Sequence, residues 1–184
     1  MNTLNDDYIS VVVAISNDAL HVIDSLSKLQ QFLEQNFKNY ELILVDNCSQ
    51  DNSISLVKNN LTNISVIELS SVHTIHEALA AGVDLTVGDF IFEIENLDTI
   101  DQMGMYQIFV KAKSGYDFVF LLSKHNSFRS RLFYKTLGII IRNNKFSEYS
   151  TTIATIASRR GLNKISDTGN RVIQRKVAYS LSGL

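Results

Sequence analysis

The chain has 184 residues, enough for one domain with a sizeable core, and its 45% hydrophobic and 20% charged content is that of an ordinary globular protein. Its one cysteine, Cys48, excludes an intrachain disulfide and a multi-cysteine metal site, and favours a reducing compartment. The net charge of −2 hides an uneven split: residues 1–120 hold five Lys+Arg against seventeen Asp+Glu, while residues 121–184 hold twelve against two.

Met1 to Asp7 read as a frayed terminus without the basic and apolar regions of a signal peptide. The apolar runs are far too short for a membrane span. Ile9 to Ile15, rich in β-branched residues, predicts a first strand. A helix is predicted to start at Asn17 or Asp18, both good caps, and to end near Asn36. Its Ala19, Ile23, Leu26, Leu29 and Leu33 recur three or four apart, as one buried face requires. Glu41 to Asp46 is a second strand ending in a carboxylate, followed by the polar loop Asn47 to Ser53. Ser53 caps a short helix that ends at Asn59-Asn60, and Ile64 to Leu69 is a third strand.

A helix is predicted over His73 to Val87, with small residues at Ala78, Ala80 and Ala81 that let it lie close to a sheet. Gly88-Asp89 turns the chain into a fourth strand, Phe90 to Glu95. A helix over Asp101 to Lys113, closed by Ser114-Gly115, leads to a fifth strand, Tyr116 to Leu122. Beyond Ser123 the pattern predicts helices over Phe128 to Arg142 and Ser150 to Arg160, the latter stopped by Gly161. A short strand at Arg171 to Ile173 and a helix from Arg175 to Ser182 follow.

Strand and helix in alternation, with short connections, predict an α/β fold: a mostly parallel central sheet with helices on both faces. Residues 1–123 form the α/β core on this reading, and 124–184 a basic, mainly helical appendage of the same domain. In such sheets ligands bind beyond the C-terminal ends of the strands, where Asn17, Asp18 and the 46–53 loop fall. The basic tail has two readings, an anionic partner or simple packing on the acidic half.

The order of motifs resembles the family 2 glycosyltransferases, nearest the branch that loads a sugar onto a polyprenyl phosphate. Val11 to Asp18 matches that family's first strand and its ending. Leu44 to Ser53 matches its Val-Val-Asp-Asp-Gly-Ser-Thr-Asp-Gly-Thr, retaining Asp46, Ser49 and Asp51. Glu77 to Gly82 and Gly88 to Ile91 match the helix and strand before its metal motif, and Gly169 to Val177 resembles its late Gly-Asp-Phe-Arg segment with one residue dropped.

The resemblance implies a Rossmann-like, nucleotide-sugar-binding A-type fold and an inverting, hexosyl-type transfer. The sugar would pass from a nucleotide diphosphate sugar, a uridine one by preference, to a lipid phosphate or saccharide acceptor in surface-polysaccharide synthesis. It implies that Asp46 accepts the N3–H of uracil, with Asn17, Asp18, Ser49 and Asp51 bordering base and ribose. From its spacing alone, Asp46 reads first as a turn cap.

At the metal motif, Asp-x-Asp in the family, this chain has Glu95-Asn96-Leu97. Leucine cannot ligate Mn²⁺ or Mg²⁺, which want oxygen. Glu95 and Asp98 remain as candidate ligands, Asp98 only if the loop is re-registered. The branch's Arg-Asn-x-Gly is replaced by Ser71-Val72-His73-Thr74. His73 and His76, with Glu77 or Glu95, read either as a metal site or as exposed and capping residues.

Arg171, Arg175 and Lys176 are expected to hold a diphosphate or lipid phosphate, and 128–142 to lie at a membrane surface. Asp167 is the one candidate base. These expectations describe a cytoplasmic protein, peripheral at the inner face of the plasma membrane, with a homo-oligomer left open and no nucleic-acid partner. The alternative is a catalytically degenerate member that serves as a binding or scaffold subunit.

Overall fold

The computed structural model describes residues 4–122 and 152–167. Six strands form one sheet: β1 (Asn5–Ile15), β2 (Phe37–Asp46), β3 (Ile64–Glu68), β4 (Phe90–Ile94), β5 (Phe118–Leu122) and β6 (Thr152–Ser158). Their order across the sheet is β3-β2-β1-β4-β6-β5. β1 to β4 run parallel, while β6 lies between β4 and β5 and is antiparallel to both. The helices are α1 (Val22–Asn36), α2 (Ser53–Asn60), α3 (Ile75–Val83), α4 (Gln102–Lys113) and α5 (Arg159–Asp167).

The period-2 alternation of the strands sorts the core onto two faces. Val11, Val13 and Ile15 of β1 meet Leu26, Leu29 and Leu33 of α1 and Met105, Ile108 and Phe109 of α4. Val12 and Ala14 face the other way, onto Ala78, Leu79 and Val83 of α3 and Leu162 and Ile165 of α5. Helices therefore cover both faces, as predicted. β1 reads as a continuous apolar run because it is buried on both. Gly82 lets α3 lie directly on the strands, since a Cβ there would overlap the Val12 and Val45 side chains.

Several predicted elements differ from the structure; the helix expected over His73 to Val87, for one, spans only Ile75–Val83. Ser150 to Arg160 was expected to be helical, but Thr152–Ser158 is the sheet's inserted strand, and Gly161 lies inside α5 rather than ending a helix. The β-branched residues Thr152, Ile153, Thr155 and Ile156 suit a buried strand, and pairing with β4 and β5 overrides the helical pattern. The first helix begins only at Val22, because Asn17 and Asp18 are spent on a turn. Asn5 to Asp7, expected to fray, open β1, with Asn5 paired to Phe37. The predicted helix at 128–142 and the elements after 170 lie outside the described residues.

The register places the site. β1 and β2 are aligned so that Ile15 lies beside Asp46, and β4 so that Ile94 lies beside Val13. The loops after β1, β2 and β4 thus leave the sheet at one edge. The chain runs from β1 outward to β2 and β3, then returns to the other side of β1 with β4. The point where the order reverses is the gap between β1 and β4, where open α/β sheets bind ligands.

Candidate functional site

A cavity of about 230 Å³ lies in that gap, lined by Ala14 to Asp18 from β1 and its turn and by Glu95 to Asp98 after β4. The turn after β1 is held by the loop after β2. Asn17 takes a left-handed backbone, φ 55°, tolerated by its short polar side chain. Its N–H donates to Ser49 Oγ at 2.9 Å and its Oδ1 accepts from Gln50 N at 2.7 Å. The Asp18 N–H donates to Ser53 Oγ at 2.9 Å. Asp51 Oδ2 accepts from Ala19 N at 3.0 Å, while its Oδ1 accepts from the Ser53 N–H and hydroxyl. The Ser53 hydroxyl is the foremost cause that holds the Asp51 carboxyl below its ordinary value, with the Ser53 and Ala19 N–H groups adding to it.

Asp46 is 5% exposed, and its two carboxylate oxygens accept from Ser49 N at 3.2 and 3.3 Å. That is the turn-capping geometry which its spacing allows. Next to it, Asn47 forms a reciprocal amide pair with His73: Nδ2 donates to His73 O, and His73 N donates to Oδ1, both at 2.8 Å. This pair ties the β2 loop to the start of α3, where Thr74 and Glu77 form a capping box. His73 itself lies 3.1 Å from Ser71 Oγ and 3.9 Å from Glu77 Oε2. Among the described residues, no group of three or more His, Cys, Asp and Glu side chains could hold a metal ion, so the reading of His73 and His76 as a metal site does not stand.

The loop after β4 turns at Asn96. Asn96 Oδ1 accepts from Asp98 N at 3.0 Å and opens a short 3-10 turn over Leu97–Thr99. Leu97 turns into the core beneath α1, 6% exposed, while Asp98 is exposed at the pocket wall with Glu95 and Asn96. Across the pocket, burial and then the Asp98 carboxylate push the Asp18 carboxyl above its ordinary value; Asp51 adds to this and His21 counters it. The wall therefore offers two carboxylates and an amide oxygen, the donor chemistry that a hard divalent cation takes. Mg²⁺-type ions commonly use one or two carboxylates and complete their shell with water and substrate phosphates.

The structure brings Asn17, Asp18, Glu95 and Asp98 to one cavity. Asp46, Ser49 and Asp51 stand behind its β1 wall as the loop that holds it. Asp167 ends α5, and Arg171, Arg175 and Lys176 lie outside the described residues. Ser16 and Asn96, which line the cavity, were not among the predicted site residues. The spacing of Asn96 two residues before Asp98, a turn-capping pattern, was the signal for the latter.

The Glycosyl transferase family 2 model matches residues 10–181. The chain belongs to that family. Its relatives include the undecaprenyl-phosphate 4-deoxy-4-formamido-L-arabinose transferase of Shewanella sediminis, 26% identical over 125 residues, 66% of this chain and 38% of that protein. The chain thus spans well under half the length of that curated relative. The fold is shared with the glucosyl-3-phosphoglycerate synthase of Mycobacterium tuberculosis, solved with uridine diphosphate: TM-score 0.64 and 18% identity, covering 86% of this chain and 59% of the other. A mannosyltransferase of Pyrobaculum calidifontis, solved with GDP-mannose and Mn²⁺, gives a TM-score of 0.60 at 16% identity, covering 88% and 47%. Membership of family 2 agrees with the switch-point pocket. Among the described residues, no helix is long and apolar enough to cross a membrane.

Proposed function

We propose that this family 2 chain binds a uridine diphosphate sugar in the β1–β4 gap and transfers its sugar to a lipid phosphate or a saccharide hydroxyl. One observation carries the reading: the loop after β4 turns Leu97 inward and delivers Asp98, with Glu95 and Asn96, to the cavity that Asn17 and Asp18 share. On this proposal Glu95 and Asp98 take the place of the carboxylate pair that the family resemblance implies. The lipid-phosphate acceptor is supported by the name of the Shewanella relative, an undecaprenyl-phosphate sugar transferase, and the donor by the nucleotide complexes of proteins that share the fold.

In the proposed transfer an acceptor oxygen attacks the anomeric carbon from the face opposite the leaving group. The new C–O bond forms as the bond to the diphosphate breaks, and the electron pair leaves with the diphosphate. A phosphate acceptor is already anionic and needs no base, whereas a hydroxyl acceptor does. A divalent cation held by Glu95 and Asp98 would neutralise the diphosphate. Asp46 orients the base, and the Asn17–Ser49 and Asp51–Ser53 contacts fix the wall against which the ribose lies. Outside the described residues, Arg171, Arg175 and Lys176 are proposed to meet the acceptor phosphate, and 128–142 the membrane surface.

Calorimetric titration with uridine and guanosine diphosphate sugars, with and without Mn²⁺, tests this. Binding of the uridine donor that tightens with Mn²⁺ is expected. No binding to any nucleotide sugar overturns the reading. The scaffold reading is favoured instead by the intrachain donors that already occupy Asp46 and Asp51. It predicts that outcome.

A further inference from the structure

α4 carries two apolar faces. Gly104, Met105, Ile108, Phe109 and Ala112 face the sheet. On the opposite side Met103, Tyr106 and Val110 are 73%, 38% and 51% exposed. Their i, i+3, i+7 spacing makes one stripe along the helix, the spacing of a helix-pairing seam. Neutral Gln102 and Gln107 flank it. From Gln102 to Tyr116 the chain carries no acidic residue, although residues 1–120 are strongly acidic overall.

The charges are gathered at the ends. Asp101, which caps α4, is exposed at its N-terminal end. Lys111 and Lys113 are exposed at its C-terminal end, Lys111 over the Tyr116 ring at 4.3 Å and Lys113 paired with Asp7 at 2.6 Å. An antiparallel copy of α4 would set each basic end against the other's acidic end and oppose the two helix dipoles favourably. Val110 would meet Met103 of the copy, and Tyr106 would meet its equivalent at the axis.

We propose that the outward face of α4 is a homodimer contact in which α4 packs antiparallel on its own copy across a two-fold axis. The proposal does not depend on the donor reading. An anionic lipid surface fits this face less well, because Asp101, together with Asp24 and Glu34 on the outer side of neighbouring α1, would be repelled. The seam is about 18 Å long for a helix of this length. That sets the contact at the low end of interface sizes, below about 1,200 Å², and makes a weak, concentration-dependent dimer the expectation.

Sedimentation velocity of the full chain across about 5 to 300 μM should show a monomer–dimer equilibrium. Val110→Glu should weaken it by about tenfold or more, and Lys111→Glu by a smaller factor, with unchanged circular dichroism and melting. Under mild oxidant, Tyr106→Cys should cross-link to itself. Met103→Cys should cross-link to Val110→Cys in a mixture but neither to its own kind, with the unmodified chain as the control for Cys48. A monomer at every concentration overturns the proposal, including a monomer that sediments with anionic vesicles. So does a dimer indifferent to Val110→Glu, or one in which Met103→Cys pairs with itself.

Discussion

Leu97 and Asp98, adjacent in the chain, leave the β4 loop on opposite sides: Leu97 is 6% exposed among the core residues packed under α1, and Asp98 is exposed at the pocket. Restoring an aspartate at 97 should therefore not restore a metal site. Leu97→Asp places a carboxylate in an apolar core and is expected to cost about 3 kcal/mol or more. Asp98→Asn should not destabilise the fold and should weaken Mn²⁺-dependent donor binding by about tenfold. Chemical denaturation and calorimetry separate the two effects. A Leu97→Asp variant that folds normally and binds Mn²⁺ more tightly would show that the loop keeps the register suggested by its alignment with Asp-x-Asp.

The Asp18 carboxyl, raised by burial and then by Asp98, should titrate above an ordinary aspartate. The sign follows from linkage. A carboxyl whose folded value lies above its unfolded one binds its proton more tightly in the folded state, so its ionisation subtracts from stability as pH rises through the folded value. Asp98→Asn removes one of the two carboxylates that raise it. The Asp18 midpoint, followed by carbon-detected NMR, should then fall back toward the ordinary value, and the variant should gain stability at neutral pH. An unmoved midpoint would leave burial and Asp51 as the causes.

The strands β1 to β5 were largely legible because the pattern that marks them is local. β1, β2 and β4 are short apolar runs bounded by polar turns, and the site loops follow from where those runs stop. β6 was not legible. Thr152 to Ser158 alternates no more cleanly than a helix of its composition, and only its long-range antiparallel pairing to Ile94 and Phe118 makes it a strand. The inward turn of Leu97 was equally hidden, since an aliphatic side chain in a motif position reads as loss until the core beneath it is seen. Asp51 reads in the sequence as a ligand contact and Ser53 as a helix cap; the bonds that tie them to Ala19 and Asp18 of the adjacent turn are long-range and carry no local signature.

Gly82 tests how closely α3 must lie on the sheet. In a helix interior Gly→Ala gains about 1 kcal/mol of intrinsic propensity. Here the added methyl would overlap Val12 and Val45, both fully or nearly fully buried and fixed in the central strands. Overpacking of this kind costs about 1–3 kcal/mol, so the clash should win and Gly82→Ala should be net destabilising by about 1 kcal/mol. Urea denaturation reads the sign directly. A stabilised variant would mean that α3 can lift from β1 and β2 at little cost.

Cys48 occupies the β2 loop with φ 59°, between Asn47, which ties the loop to His73, and Ser49, which caps Asp46. A left-handed backbone costs a residue with a Cβ about 1–2 kcal/mol, a cost that glycine avoids. Against that, among the described residues the thiol makes a long contact, 3.7 Å, with Gln50 Nε2, a weak interaction for a sulfur acceptor. The backbone effect should dominate. Cys48→Gly should raise stability, less the entropy glycine adds to the unfolded chain, and should leave nucleotide affinity unchanged. Cys48→Val, β-branched in the same conformation, should lower stability and loosen the turn that presents Asn17. Thermal unfolding of the two variants beside calorimetry with a uridine diphosphate sugar distinguishes strain relief from a direct role of the thiol: if Cys48→Gly loses donor affinity while gaining stability, the thiol contacts the ligand.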